Sequence, residues 1–171
     1  NTLFIARGLT DWRLKAGNRN ITVWLNGSDV AGKVGTSYET LLHELIHAAT
    51  AGVVRLGGLK EASSYALSGD IADLNAVTNH VHKHFNQRVK DFKAGKIQLT
   101  DFENRVYQRA NNALVDQDEV LAWGLSNPDA QAYMESIPYP AHKSAWTAFV
   151  AAIRKLLRIP VNAATALTEM L

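Results

Sequence analysis

The five residues His43-Glu44-Leu45-Ile46-His47 constrain this chain more than any other stretch of it. Two histidines four apart share a face when the segment is α-helical, because residues i and i+4 then lie roughly 5–6 Å apart at Cβ. In that conformation two imidazole nitrogens reach one metal ion, and Glu44 stands beside the pair. A carboxylate so placed can take a proton from a water whose pKa the ion lowers to about 7, and hand it to a leaving amine. Two imidazoles leave room for that water, for a third protein ligand and for a substrate carbonyl. The fold must therefore set a helix here and bring another ligand to it from elsewhere in the chain.

The flanking residues suit such a helix. Thr36-Ser37-Tyr38-Glu39 reads as a capping box, with Thr36 accepting from the Glu39 amide while Glu39 reaches back. Leu41, Leu42, Leu45 and Ile46 supply an apolar surface, and Thr40, His43, His47 and Thr50 a polar stripe. Gly52 or Gly57-Gly58 offers a stop, since glycine takes the left-handed backbone at little cost. The bland alternative is an interior helix lined by two histidines, with Glu44 a solvated charge. This context argues against it.

Upstream, Ile21-Thr22-Val23-Trp24-Leu25 alternates in the period-two pattern of a half-buried strand, and Leu3-Phe4-Ile5 suggests a short earlier one. Everything downstream is helical in pattern. Leu74, Val77, Val81, Phe85 and Phe92 recur at helical spacing between Ile71 and Ala94, and Gly95 marks the stop. Thr100-Asp101-Phe102-Glu103 is a second capping box, opening a helix toward Ala113. A shorter helix around Asp118–Leu125 breaks at Asn127-Pro128, an N-cap with proline at the first helical position. Pro138 and Pro140 mark an irregular connection before a last helix carrying Trp146, Phe149, Val150, Ile153, Leu156 and Leu157 up to Pro160. The fold class is α+β, mostly helical, with a small N-terminal sheet followed by the active-site helix and a helical C-terminal part.

The 171 residues fit one domain, 1–171. An apolar fraction of 47% and a charged fraction of 20% are ordinary for globular chains. No apolar run approaches the ~18 residues of a membrane span, and no basic-then-apolar leader is seen. A formal net charge of +2 implies neither a nucleic-acid nor a membrane partner. Arg154, Lys155 and Arg158 read as a solvated helix face. With no cysteine, any metal must be held by histidine and carboxylate. The chain opens Asn1-Thr2-Leu3 and closes on a helix-like, partly apolar Thr165–Leu171, which reads as a piece excised from a longer polypeptide. Candidate third ligands among the downstream acids are Glu61, Glu103, Asp116, Asp118, Glu119 and Glu135. His80 and His84, with His82 between them, could form a second metal site, although Lys83 and the lack of a flanking acid favour a solvated or partly packed face. Tyr38, Tyr65, Tyr107 and Tyr133 are candidates to donate to a tetrahedral oxyanion. Trp12, Trp24, Trp123 and Trp146 read as core or cleft-wall residues.

The strand, the loop and Leu41-Leu42-His43-Glu44-Leu45-Ile46-His47-Ala48-Ala49-Thr50 resemble the active-site region of the zincin metallopeptidases. That resemblance implies a zincin-like fold in which the Ile21–Leu25 strand lines a cleft and pairs with an extended substrate. The metzincin extension is absent, because Thr50 and Val53 stand where that subgroup has glycine and a third histidine. A glutamate ligand, as in gluzincins, is the leading alternative. Asp118-Glu119-Val120-Leu121-Ala122-Trp123-Gly124-Leu125-Ser126-Asn127-Pro128 is similar to the second-helix pattern of peptidase-like domains in large polyvalent proteins of phages and mobile elements. The Ser144-Ala145-Trp146…Leu156-Leu157…Pro160 segment resembles their C-terminal region. This likeness implies Glu119 as the third ligand to Zn2+ beside His43 and His47, ahead of Glu61, with Glu44 as general base. It implies a zinc-dependent endopeptidase acting on a protein or peptide, its own parent polypeptide or a host protein, in the bacterial host cytoplasm or a phage virion. The rival expectation is a catalytically idle zincin-like structural or binding module of such a protein.

Overall fold

Helix α2, Ser68–Lys93, is the spine on which the rest of the fold is assembled. The computed structural model describes residues 8–11, 22–25, 40–48, 68–108, 114, 117–156 and 159. Ile71, Leu74, Val77, Val81 and Phe85 fall on one stripe of α2 and are all buried, as a 3.6-residue period requires. The helix ends in a Schellman arrangement. Gly95 takes φ +70, its N–H donates to Phe92 O at 2.9 Å, and Lys96 N–H donates to Asp91 O at 2.9 Å. A side chain at this position would be strained, so glycine sets the stop.

Helix α1 occupies residues 40–48. After α2 come α3 (Asp101–Gln108), α4 (Gln117–Ser126), α5 (Pro128–Glu135) and α6 (Ala145–Leu156). Their starts are written locally. Thr100 Oγ1 accepts from Glu103 N–H at 3.2 Å while Glu103 Oε2 accepts from Thr100 N–H at 2.8 Å, a reciprocal capping box. Asn127 Oδ1 accepts from Ala130 N–H at 2.9 Å, with Pro128 in the first turn of α5. Ser144 and Thr147 exchange the same kind of bonds at the start of α6.

α6 and α4 pack on α2, and α5 packs against α4, α6 and α3. Leu74, Val77 and Val81 of α2, Val120 and Leu121 of α4, Met134 of α5, and Phe149 and Ile153 of α6 form the common core. The described part of the chain is thus mostly helical. Among the described residues there is also one antiparallel strand pair, β1 (Gly8–Asp11) with β2 (Thr22–Leu25), in the register Gly8↔Leu25, Leu9↔Trp24, Thr10↔Val23 and Asp11↔Thr22. β1 is not a strand that the sequence suggests. Glycine and aspartate disfavour strands, and its conformation follows from pairing with β2. Leu3–Ile5, the Thr36–Glu39 box, the glycines at 52, 57 and 58, and residues 109–113 lie outside the described residues. No described helix is long and apolar enough to cross a membrane.

Candidate metal centre

At 100° per residue, His43 and His47 lie 40° apart around α1, Glu44 lies just to one side of them, and Leu45 lies opposite. Burial follows this geometry. Glu44 is 6% exposed, whereas Leu45, read from sequence as part of a buried apolar surface, is 50% exposed because it points away from the histidine face. The face carrying His43 and His47 meets α4, where Glu119 occupies the first turn.

Three side chains converge there. His43 Nε2 and His47 Nε2 are 3.1 Å apart. Glu119 divides its carboxylate between them, Oε2 at 3.4 Å from His43 Nε2 and Oε1 at 3.5 Å from His47 Nε2. The two imidazoles meet edge to face, centroids 4.6 Å apart and planes at 84°. Among the described residues, this is the one group of three or more histidine, cysteine or acidic side chains whose ligand atoms all lie within 4.8 Å of one another.

The spacing can be tested against an ion. Zinc bonds to imidazole nitrogen and carboxylate oxygen at about 2.0–2.2 Å in tetrahedral geometry, which puts neighbouring donor atoms about 3.3–3.5 Å apart. The 3.1 Å between the two ring nitrogens, and the 3.4 and 3.5 Å from them to the two separate oxygens of Glu119, lie close to that spacing. Two ring nitrogens facing each other at 3.1 Å beside a carboxylate repel unless a proton or a cation lies between them. His43, His47 and Glu119 therefore form a group that can hold a metal ion.

The electrostatics of the site record the same convergence. Burial pushes the Glu119 carboxyl up, but hydrogen bonds and charge from His43 and His47 outweigh it and bring it down to about 2. Burial pulls His47 down, yet the hydrogen bond and charge of Glu119, with the charges of Glu44 and Asp118, hold it above its ordinary value. Glu44 is thus electrostatically coupled to the His47 ring.

The other sequence candidates are dispersed. Glu103 is buried in an ion pair with Arg88, and Glu135 pairs with Lys143 and accepts from Ser144. Glu61, Asp116, Tyr38, Tyr65 and Trp12 lie outside the described residues. Tyr107 packs edge-on against Phe92, and Tyr133 meets Nδ1 of His84 at 3.1 Å. His80, His82 and His84 turn to three different partners, Pro138 O, Leu114 O and Tyr133 Oη. Facing apart, they make no second metal group among the described residues. One contact that sequence reasoning passed over is Trp123 on the His43 ring, centroids 5.5 Å apart at 71°. Its signal was its place four residues after Glu119, on the same face of α4.

Compared with protein-family models, curated proteins and solved structures, the chain matches none.

Proposed function

We propose that the chain is a zinc-dependent endopeptidase of gluzincin type, with His43, His47 and Glu119 as metal ligands and Glu44 as general base. The observation that carries this reading is the convergence of His43 Nε2, His47 Nε2 and the Glu119 carboxylate next to Glu44. Three protein ligands, two neutral imidazoles and one carboxylate, leave a coordination position open, as catalytic zinc sites do and closed structural sites do not. Bound zinc would supply Lewis-acid polarisation of a carbonyl and a lowered water pKa.

The chain's own groups do the rest. Glu44 takes the proton of the attacking water on its carboxylate and delivers it to the amine nitrogen of the leaving peptide. Its burial removes competing bulk water from that transfer. Glu119 fixes the relative position of α1 and α4, so both histidines are aligned before substrate arrives. In the proposed zincin-like arrangement, β2 lines the cleft and pairs with an extended polypeptide, the parent chain or a host protein.

The test is cleavage of casein by zinc-loaded chain, with Glu44→Gln as the control. The reading expects cleavage that a chelator abolishes, and a Glu44→Gln variant that keeps zinc while losing 10²–10⁴-fold in rate, roughly what acid–base catalysis contributes. Zinc bound with no cleavage by the wild-type chain would instead make the metal a staple between α1 and α4 in an idle module.

A further inference from the structure

We infer that Trp123 is a positioning residue that holds the His43 imidazole in its metal-binding orientation. This rests on the metal reading of His43, His47 and Glu119 and extends it to a residue that ligates nothing.

The argument begins with the freedom of a histidine ring. Its second side-chain torsion is broad and roughly two-fold, so a ring held at Cβ alone can present either nitrogen or turn its edge away. Ligating histidines are usually fixed by a carboxylate, carbonyl or water that takes the other ring N–H. For His43 the structure supplies rings. His47 meets it at 4.6 Å and 84° on one contact, and Trp123 at 5.5 Å and 71° on another. Two near-perpendicular neighbours restrict rotation far more than one, because turning the imidazole drives an edge into one of them.

Trp123 is itself held in place. It is partly buried and packs against the core formed by α2, α4, α5 and α6. It also lies four residues after Glu119, so α4 presents a ligand and a ring guard on one face, opposite the His43 and His47 pair of α1. Two i, i+4 pairs thus oppose each other. Glu119 reaches both histidines, and the recorded Trp123 ring contact on this pair is with His43. If Trp123 acts through His43, its removal should weaken metal binding by way of that ring alone.

The experiment is Cu2+ titration of the 171-residue chain, copper being chosen because its higher affinity keeps weakened variants measurable. Trp123→Ala should lose about tenfold in affinity, the lower end of what losing a ligand-orienting partner costs, and Trp123→Phe less than about threefold, since a planar ring remains. The decisive readout is the background. Trp123→Ala should cost the same about tenfold in His47→Ala but nothing further in His43→Ala. A general packing defect would weaken all backgrounds alike, and that result overturns the proposal, as does unchanged affinity in Trp123→Ala. Melting of each metal-free variant checks folding; if the alanine variant fails to fold, Trp123→Leu, which keeps apolar bulk without a planar ring, takes its place with the same expectation. A wild-type chain that binds no copper or zinc overturns the metal reading itself, whereas binding that ignores Trp123 overturns only this inference.

Discussion

Glu103 and Glu119 each sit in the first turn of a helix, α3 and α4, where the helix dipole favours an anion. Their surroundings differ in kind. Glu103 is 1% exposed, and its oxygens accept from Arg88 Nε at 2.7 Å, Arg88 Nη2 at 2.9 Å and Thr100 N–H at 2.8 Å. That is a charge with a fixed counter-charge and a cap, complete within the chain. Glu119 meets two imidazoles whose Nε2 atoms also meet each other. The first arrangement holds α2 to α3 without help. The second presents three acceptors to a common point and is completed by a proton or a cation, which is what separates a binding site from an internal brace.

The comparison breaks most directly at Arg88. Arg88→Met leaves the Glu103 carboxylate buried without its partner, and stability should fall by about 3–5 kcal/mol in urea unfolding. Glu119→Gln in the metal-free chain should cost less than Arg88→Met, because the His43, His47 and Glu119 side chains are 15%, 15% and 26% exposed whereas Glu103 is 1% exposed. Equal losses would erase the distinction. Zinc at 100 times its dissociation constant should raise stability by about 2.7 kcal/mol. The increment should persist in Arg88→Met and vanish in His43→Ala, His47→Ala and Glu119→Ala, which thermal melts with and without chelator would read.

Both regions should weaken at the acid end, since Glu119 is brought down to about 2 and Glu103 is also lowered, and only the histidine site should weaken at the alkaline end. For Glu103, burial pushes the carboxyl up, but Arg88 and Thr100 hold it below its ordinary 4.5. Its contribution is therefore present above pH 4.5 and lost as pH falls through the lowered value. His47 is held above 6.5 in the metal-free chain, so its contribution is present below pH 6.5 and lost as pH rises through the raised value. With chelator present, melting midpoints should decline on both limbs. Arg88→Met should remove only the Glu103 part of the acid limb, leaving that of Glu119, and His47→Ala should flatten the alkaline one. With zinc the alkaline decline should reverse, because the metal needs neutral imidazoles and displaces the proton.

Much of this was legible in sequence where the physics is local. The apolar stripe of α2, the stop at Gly95, the Thr100 to Glu103 box and the Asn127-Pro128 break all depend on residues within one or two turns. The histidine pair was legible for the same reason, since four-residue spacing fixes its geometry. Glu119 required a resemblance, because nothing local says which distant acid will face α1. Burial of Glu103 was not legible either. A first-turn acid usually faces solvent, and its partner Arg88 is fifteen residues earlier on another helix. His80, His82 and His84 looked like a cluster along the chain, but their partners lie on the Pro138–Tyr139 connection, at Leu114 and on α5. Three separate tertiary contacts make the partly packed face that Lys83 and the lack of a flanking acid had favoured over a second metal site.

The smallest expected effect lies where α4 is held against the core, at Gly124. A Cβ added there would sit 3.0 Å from Phe149 Cζ, 3.2 Å from Phe149 Cε1 and 3.4 Å from Met134 Sδ. Phe149 and Met134 are 0% and 1% exposed, so neither ring nor sulfur can retreat into solvent. Two terms then oppose each other in Gly124→Ala. The helix gains about 1 kcal/mol from replacing glycine, while forcing a methyl into a packed core costs about 1–3 kcal/mol. The net should be a loss of roughly 1 kcal/mol, a fall of about 2–4 °C in melting midpoint for a chain of this size. In a Phe149→Leu background the obstructing ring atoms are gone, and the same substitution should become stabilising. If Gly124→Ala stabilises the wild-type chain, α4 tolerates displacement from the core. If it also lowers metal affinity, that tolerance is limited by Glu119, whose carboxylate must stay within reach of both histidines on α1.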